Sequence, residues 1–235
     1  MKDKLYTIPV NEAFETDCEC PVCSMAQKLE TGAIEFTMGP SYMEDDIREM
    51  TSRLGFCEKH QGMLYQNQNR LGLALILQSQ MDKLIKDVEK LTAAEKKPSP
   101  PSLFRKKTEA SGVTEHLHEL QNSCFICDRI DRTMERYIAT IFHLYHTSEE
   151  FRRKFSESKG FCTRHFEALY EAAPNYLGGE ELSGFRKLLS GLYLENMKRV
   201  RDDLEWFVKK FDYRYQEEPW KNAKDALPRA IQKLW

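Results

Sequence analysis

No stretch of eighteen apolar residues occurs in this 235-residue sequence, so it predicts no membrane-spanning helix. There is almost no net charge either. The 35 lysines and arginines nearly balance the 37 aspartates and glutamates, and the resulting -2 argues against a nucleic-acid binder that grips phosphates through a basic face. The segment Met1 to Val10 lacks the apolar stretch of a secretory signal, so a reducing cytoplasm is the expected compartment. Alternating Val/Ile/Thr strand patterns are nearly missing, and the 11 glycines gather at the ends of helical patterns, which excludes the β classes. No glycine-rich phosphate loop, nucleophile elbow or catalytic-triad spacing is found, which removes the commonest nucleotide and acyl-transfer chemistries.

What the chain does have is one cysteine–histidine pattern, written twice. The first copy is Cys20-Pro-Val-Cys23, then Gly55-Phe56-Cys57-Glu58-Lys59-His60 with Leu64 and Tyr65 following. The second is Cys124-Phe-Ile-Cys127, then Gly160-Phe161-Cys162-Thr163-Arg164-His165 with Leu169 and Tyr170. Six of the seven cysteines fall in the repeat and Cys18 stands outside it. A C-x-x-C turn presents two sulfurs to one side. A cysteine and a histidine three apart at a helix start share one face, where exposed N–H groups favour a thiolate. Cys20, Cys23, Cys57 and His60, with Cys124, Cys127, Cys162 and His165, are therefore the candidate metal ligands. The expectation is two Cys3His sites for Zn2+, each copy closing its own.

Three other readings stand beside zinc. An iron–sulfur cluster also suits a thiolate-rich set. Thiol redox exchange is suggested by Cys20-Pro-Val-Cys23, though no βαβ pattern surrounds it and the second copy lacks the proline. Unligated buried cysteines are the third. Lys59 and Arg164 occupy one slot beside the histidines and are placed to offset the charge of three thiolates. Tyr65 and Tyr170, with Leu64 and Leu169, are expected to floor the sites. His116, His118, His143 and His146 are assigned no ligand role, and Cys18 is read as a bystander.

The remaining pattern is helical throughout. A helix is expected from Ser24 to about Phe36, and a second capped by Ser41 with Glu44 and stopped by Gly55. A third starts near Cys57, and a fourth runs from about Leu71 to Leu91 with Ala74, Leu77, Met81, Leu84, Ile85 and Val88 on one face. In the second half a helix follows Cys127, Ser148 caps a short one, and Glu180 to Phe211 forms a very long one. A short amphipathic segment with Leu227, Ile231 and Leu234 closes the chain. Residues 94–112, with three prolines and five basic side chains, read as a linker between a first repeat (1–93) and a second repeat with a C-terminal extension (113–235).

These motifs, with Thr-Ile-Pro-Val-Asn-Glu-Ala-Phe near the start and Pro-Trp-Lys-Asn-Ala-Lys-Asp-Ala-Leu-Pro-Arg-Ala-Ile-Gln-Lys-Leu near the end, resemble an uncharacterised bacterial family of cytosolic, cysteine-rich helical proteins. The resemblance spans essentially the whole chain and supports the eight ligands as its working residues. The sequence thus implies an all-α protein of two pseudo-symmetric helical units forming a bundle, each with a Cys3His site. The expected role is metal binding that serves structure or interaction with a protein or small-molecule partner. The alternative is an iron–sulfur or thiol redox enzyme.

Overall fold

A computed structural model describes residues 4–95 and 111–235. Most of the segment expected to be a linker, 94–112, lies outside the described residues. Among those described there are eleven α-helices and no strand. In chain order the helices are α1 (Lys4–Glu15), α2 (Pro21–Met38), α3 (Asp45–Leu54), α4 (Glu58–Gln66), α5 (Arg70–Glu95), α6 (Gly112–Gln121), α7 (Phe125–Thr147), α8 (Glu149–Glu157), α9 (Thr163–Ala172), α10 (Gly179–Lys209) and α11 (Ala226–Leu234). The chain divides into two compact units. One is contiguous, Leu29–Arg132; the other is built from the flanking pieces Met1–Lys28 and Thr133–Trp235. The changeovers fall inside α2 and α7.

In the contiguous unit the core gathers Ala33, Ile34 and Met38 of α2, Ile47 of α3, Leu64 of α4, Leu73 and Ile76 of α5, and Phe125 and Ile126 of α7. Phe56 packs edge-on against Phe125 at 6.3 Å between ring centres. The buried face of α5 matches the expected one only in part: Leu73 and Ile76 are buried and Leu77, Leu84 and Val88 half-buried, while Ala74, Met81 and Ile85 are exposed. α5 is apolar on more than one side, so periodicity alone misplaces part of the stripe. Ser41 does not cap α3. It sits in a 3-10 turn and donates its hydroxyl to the Phe36 carbonyl, and Glu44 takes the N-cap position. The acidic pair Asp45 and Asp46 occupies the first turn of α3, where the helix dipole favours negative charge.

In the other unit an aromatic cluster forms the centre. Phe14, Phe151, Phe155, Phe161 and Phe185 are all buried, with ring centres 4.9 to 6.2 Å apart in the contacting pairs. Ser148 caps α8 as expected, accepting from the Phe151 N–H at 3.2 Å. α10 presents Phe185, Leu189, Leu192 and Val200 inward and is about 46 Å long at 1.5 Å per residue. α11 has an inverted pattern. Its buried face is Ala226, Ala230 and Lys233, and its larger Leu227, Ile231 and Leu234 are exposed.

Candidate metal centres

Each G-F-C loop begins where a helix stops. Gly55 has φ +60° and Gly160 φ +74°, the left-handed region that costs a side chain about 1–2 kcal/mol. A Cβ on Gly160 would lie 3.0 Å from the backbone oxygen of Leu192, so that backbone would have to give by a few tenths of an ångström to admit one. Two residues later the cysteine is the N-cap of the next helix. Cys57 precedes α4 with φ -70° and ψ 162°, and Cys162 precedes α9 with φ -72° and ψ 164°. The histidine lands in the first turn, its Nδ1 3.2 Å from the Cys57 sulfur in one case and 3.1 Å from the Cys162 sulfur in the other.

All eight expected ligands are gathered into two groups of four, but the grouping is crossed. Cys57 and His60 of the first copy meet Cys124 and Cys127 of the second; Cys20 and Cys23 of the first copy meet Cys162 and His165 of the second. This corrects the expectation that each copy closes its own site. The reason lies in where the chain divides: the changeover inside the 18-residue α2 leaves Cys20 and Cys23 in one compact unit and carries Cys57 into the other. Cys57 is delivered beside the second C-x-x-C instead. In sequence the two sites are nested, and they are called here the inner site (Cys57, His60, Cys124, Cys127) and the outer site (Cys20, Cys23, Cys162, His165). Each lies within one compact unit.

The spacing fits a single tetrahedral ion. With metal–sulfur bonds near 2.3 Å and a metal–nitrogen bond near 2.0 Å, sulfurs should be about 3.8 Å apart and sulfur about 3.5 Å from nitrogen. In the outer site Nδ1 of His165 lies 3.5 Å from Cys20, 3.3 Å from Cys23 and 3.1 Å from Cys162, and Cys23 lies 3.5 Å from Cys162. In the inner site Nδ1 of His60 lies 3.2, 3.3 and 3.4 Å from Cys57, Cys124 and Cys127, and Cys57 lies 4.0 Å from Cys127. All donor atoms of a group fall within 4.8 Å of one another.

The thiols of each group crowd one another. Burial drives the Cys20 thiol far above its ordinary range. The hydrogen bond between Cys23 and the Cys162 sulfur, reinforced by burial and opposed by the bond to Cys20, pushes Cys23 up to about 12. Cys162, accepting from both, is held far below the ordinary thiol value. In the inner site burial and the neighbouring thiols push Cys127 up to about 12. A divalent ion would relieve this crowding by taking the place of the shared protons.

Residues outside the motif set the two sites apart. Nε2 of His60 lies 3.0 Å from Glu30, which also pairs with Lys59. Burial opposes ionisation of Glu30, but Lys59 and His60 outweigh it and hold its carboxyl below the usual range. Lys59 thus acts through Glu30. Glu19 is the buried carboxylate next to the outer site, paired with Arg199 at 2.5 Å and with the buried Lys233 at 3.2 Å. Burial pushes the Lys233 ammonium down, against the pull of Glu19. Of these only Lys59 was read from the sequence; Glu30, Glu19, Arg199 and Lys233 were not, yet Lys233 lies at helical spacing from Ala226 and Ala230, and a lysine on a face of small residues was a usable sign.

Other expectations divide. Leu64 and Leu169 are fully buried beside the ligands, whereas Tyr65 and Tyr170 are 65 % and 37 % exposed and do not floor the sites. Their rings carry Arg70 and Arg186 instead, 4.0 and 4.6 Å from the ring centres, which rewards an exposed position. Cys18 joins neither group of four. His146 pairs with Glu181 at 2.9 Å and His116 lies 3.5 Å from Asp87, so both have ordinary partners. No helix among the described residues is long and apolar enough to cross a membrane. No curated protein and no solved structure matches the chain. A family of unknown function (DUF6062) matches residues 1–235, and with that coverage the chain belongs to it.

Proposed function

We propose that this is a zinc protein whose two ions hold a helical scaffold together, with no chemistry at the metals themselves. The observation that carries the reading is closure. Each site supplies four protein donors at single-ion spacing, and a fully protein-ligated Cys3His set leaves no position for substrate, as in structural zinc sites. The 4.8 Å limit also favours one ion over an iron–sulfur cluster, whose several irons need room between the ligands. In this reading a protein or small-molecule partner engages the helical surface rather than the metal, and free thiols suit a reducing cytoplasm.

Metal analysis of protein prepared without oxygen tests it. The expected result is about two zinc ions per chain and a colourless solution; a brown protein with acid-labile sulfide would establish the redox alternative. Paired substitutions then test the crossed grouping. Cys20→Ser with Cys162→Ser should remove about one zinc, because both fall in the outer site. Cys20→Ser with Cys57→Ser should remove both. The reverse result would restore the grouping within each copy.

A further inference from the structure

Each site needs its two ligand-bearing loops held side by side, and the sites do this by different means. In the inner site the loops bond directly. Ser123 donates its hydroxyl to the Leu54 carbonyl at 2.7 Å, and the Phe125 N–H donates to the Gly55 carbonyl at 2.9 Å. Neither bond can form in the outer site. Pro21 stands where Phe125 does and has no N–H, and Glu19 stands where Ser123 does.

The missing tie comes from α11. Lys233, 1 % exposed, donates to the Glu19 carbonyl and to the Lys159 carbonyl, both at 2.6 Å. Lys159 occupies the position of Leu54, just before the loop glycine, so the same carbonyl is held in both sites. The third proton faces the Glu19 carboxylate at 3.2 Å. α11 is anchored further where Thr163 donates to the Lys233 carbonyl at 3.0 Å and the Arg164 N–H to the Trp235 carbonyl at 3.4 Å. Both donors lie in the first turn of α9, beside Cys162.

We propose that Lys233 is the positioning residue of the outer metal site: α11 is a clasp across its two loops, so the outer ion is exchangeable when the clasp lifts while the inner ion is held by the loops themselves. This rests on reading the clusters as zinc sites. It goes beyond that reading by giving the two ions different lability.

The test uses the full zinc-loaded chain challenged with excess 4-(2-pyridylazo)resorcinol, whose colour reports released zinc. Lys233→Met should release one zinc per chain about 10-fold faster or more, with the other unchanged. Lys233→Arg, which keeps the charge and several donors, should recover most of the wild-type rate. Thr163→Val, an exposed change that leaves the core intact, should speed the same ion by a smaller factor. The mirror change, Ser123→Ala, should speed the other ion only. Unchanged release in both Lys233→Met and Thr163→Val, or equal acceleration of both ions by Lys233→Met in a chain of unchanged helix content, overturns the proposal. Should Lys233→Met fail to fold, Thr163→Val and Ser123→Ala decide alone, each required to act on its own ion. If the wild-type chain does not carry two zinc ions, it is the zinc reading that fails, before any variant is made.

Discussion

The inner and outer sites share their donor set, their N-cap cysteines and their positive-φ glycines, yet differ in how their loops are tied and in the carboxylate beside them. The inner site holds its loops with a hydroxyl and a backbone N–H, and sets a carboxylate against the far side of its imidazole. The outer site sets its carboxylate, Glu19, against a lysine from a helix far along the chain. Donor identity sets which metal fits; the neighbours set how each ion is held. Two sites with the same ligand formula are therefore not two copies of one behaviour.

Three measurements bear on that contrast, beginning with the largest effect. At neutral pH the raised values of Cys20 and Cys23 keep both thiols protonated in the metal-free outer site, so binding there must expel about two protons. The sign follows: acid competes with the metal, and apparent outer-site affinity should fall about 100-fold per pH unit below neutrality. Proton release measured by calorimetry in two buffers checks it, and release of less than one proton would contradict it. Next come the loop glycines. Gly55→Ala and Gly160→Ala should each destabilise by about 2 kcal/mol or more through backbone strain. Gly160→Ala should cost about 1 kcal/mol more, because its neighbour is the fixed Leu192 backbone whereas Gly55 faces the flexible end of Gln80. Equal losses on denaturant titration would remove that distinction. Smallest is Glu30→Gln, which should weaken zinc at the inner site by about 10-fold and leave the outer ion unaffected in competition titrations.

The sequence discloses what is local. Gly55 as a helix stop, Cys57 and Cys162 at helix starts, Ser148 as a cap and the long stripe of α10 all follow from spacing and residue type. So do the eight candidate ligands that gather into two groups, because the pattern occurs twice. Repetition also hid the grouping: two equivalent C-x-x-C turns and two equivalent G-F-C loops can join within copies or across them, and the spacing inside each motif does not say which. The division of the chain inside α2 decided it, with Cys20 and Cys23 on one side and Cys57 on the other, and no local pattern marks that changeover. The face of α5 was misjudged in part because its apolar residues surround it, and Tyr65 because an arginine five residues on can cover an exposed ring. Lys233 joins loops 74 and 214 residues away, a contact no local pattern encodes.

The nesting of the ligand pairs has a consequence for the order of assembly. The inner donors span 67 to 70 residues between Cys127 and its partners in the first copy, and the outer donors 139 to 145. During synthesis Cys127 emerges before Cys162, so the inner set is complete while the outer set is still half made. Once it closes, the stretch between them is bypassed, and the outer closure must constrain only about half as many free residues. Halving a loop lowers the closure entropy by about 0.6 kcal/mol, a modest gain in equilibrium but a directional one in time. The nesting thus favours closure of the inner set first and of the outer set after it.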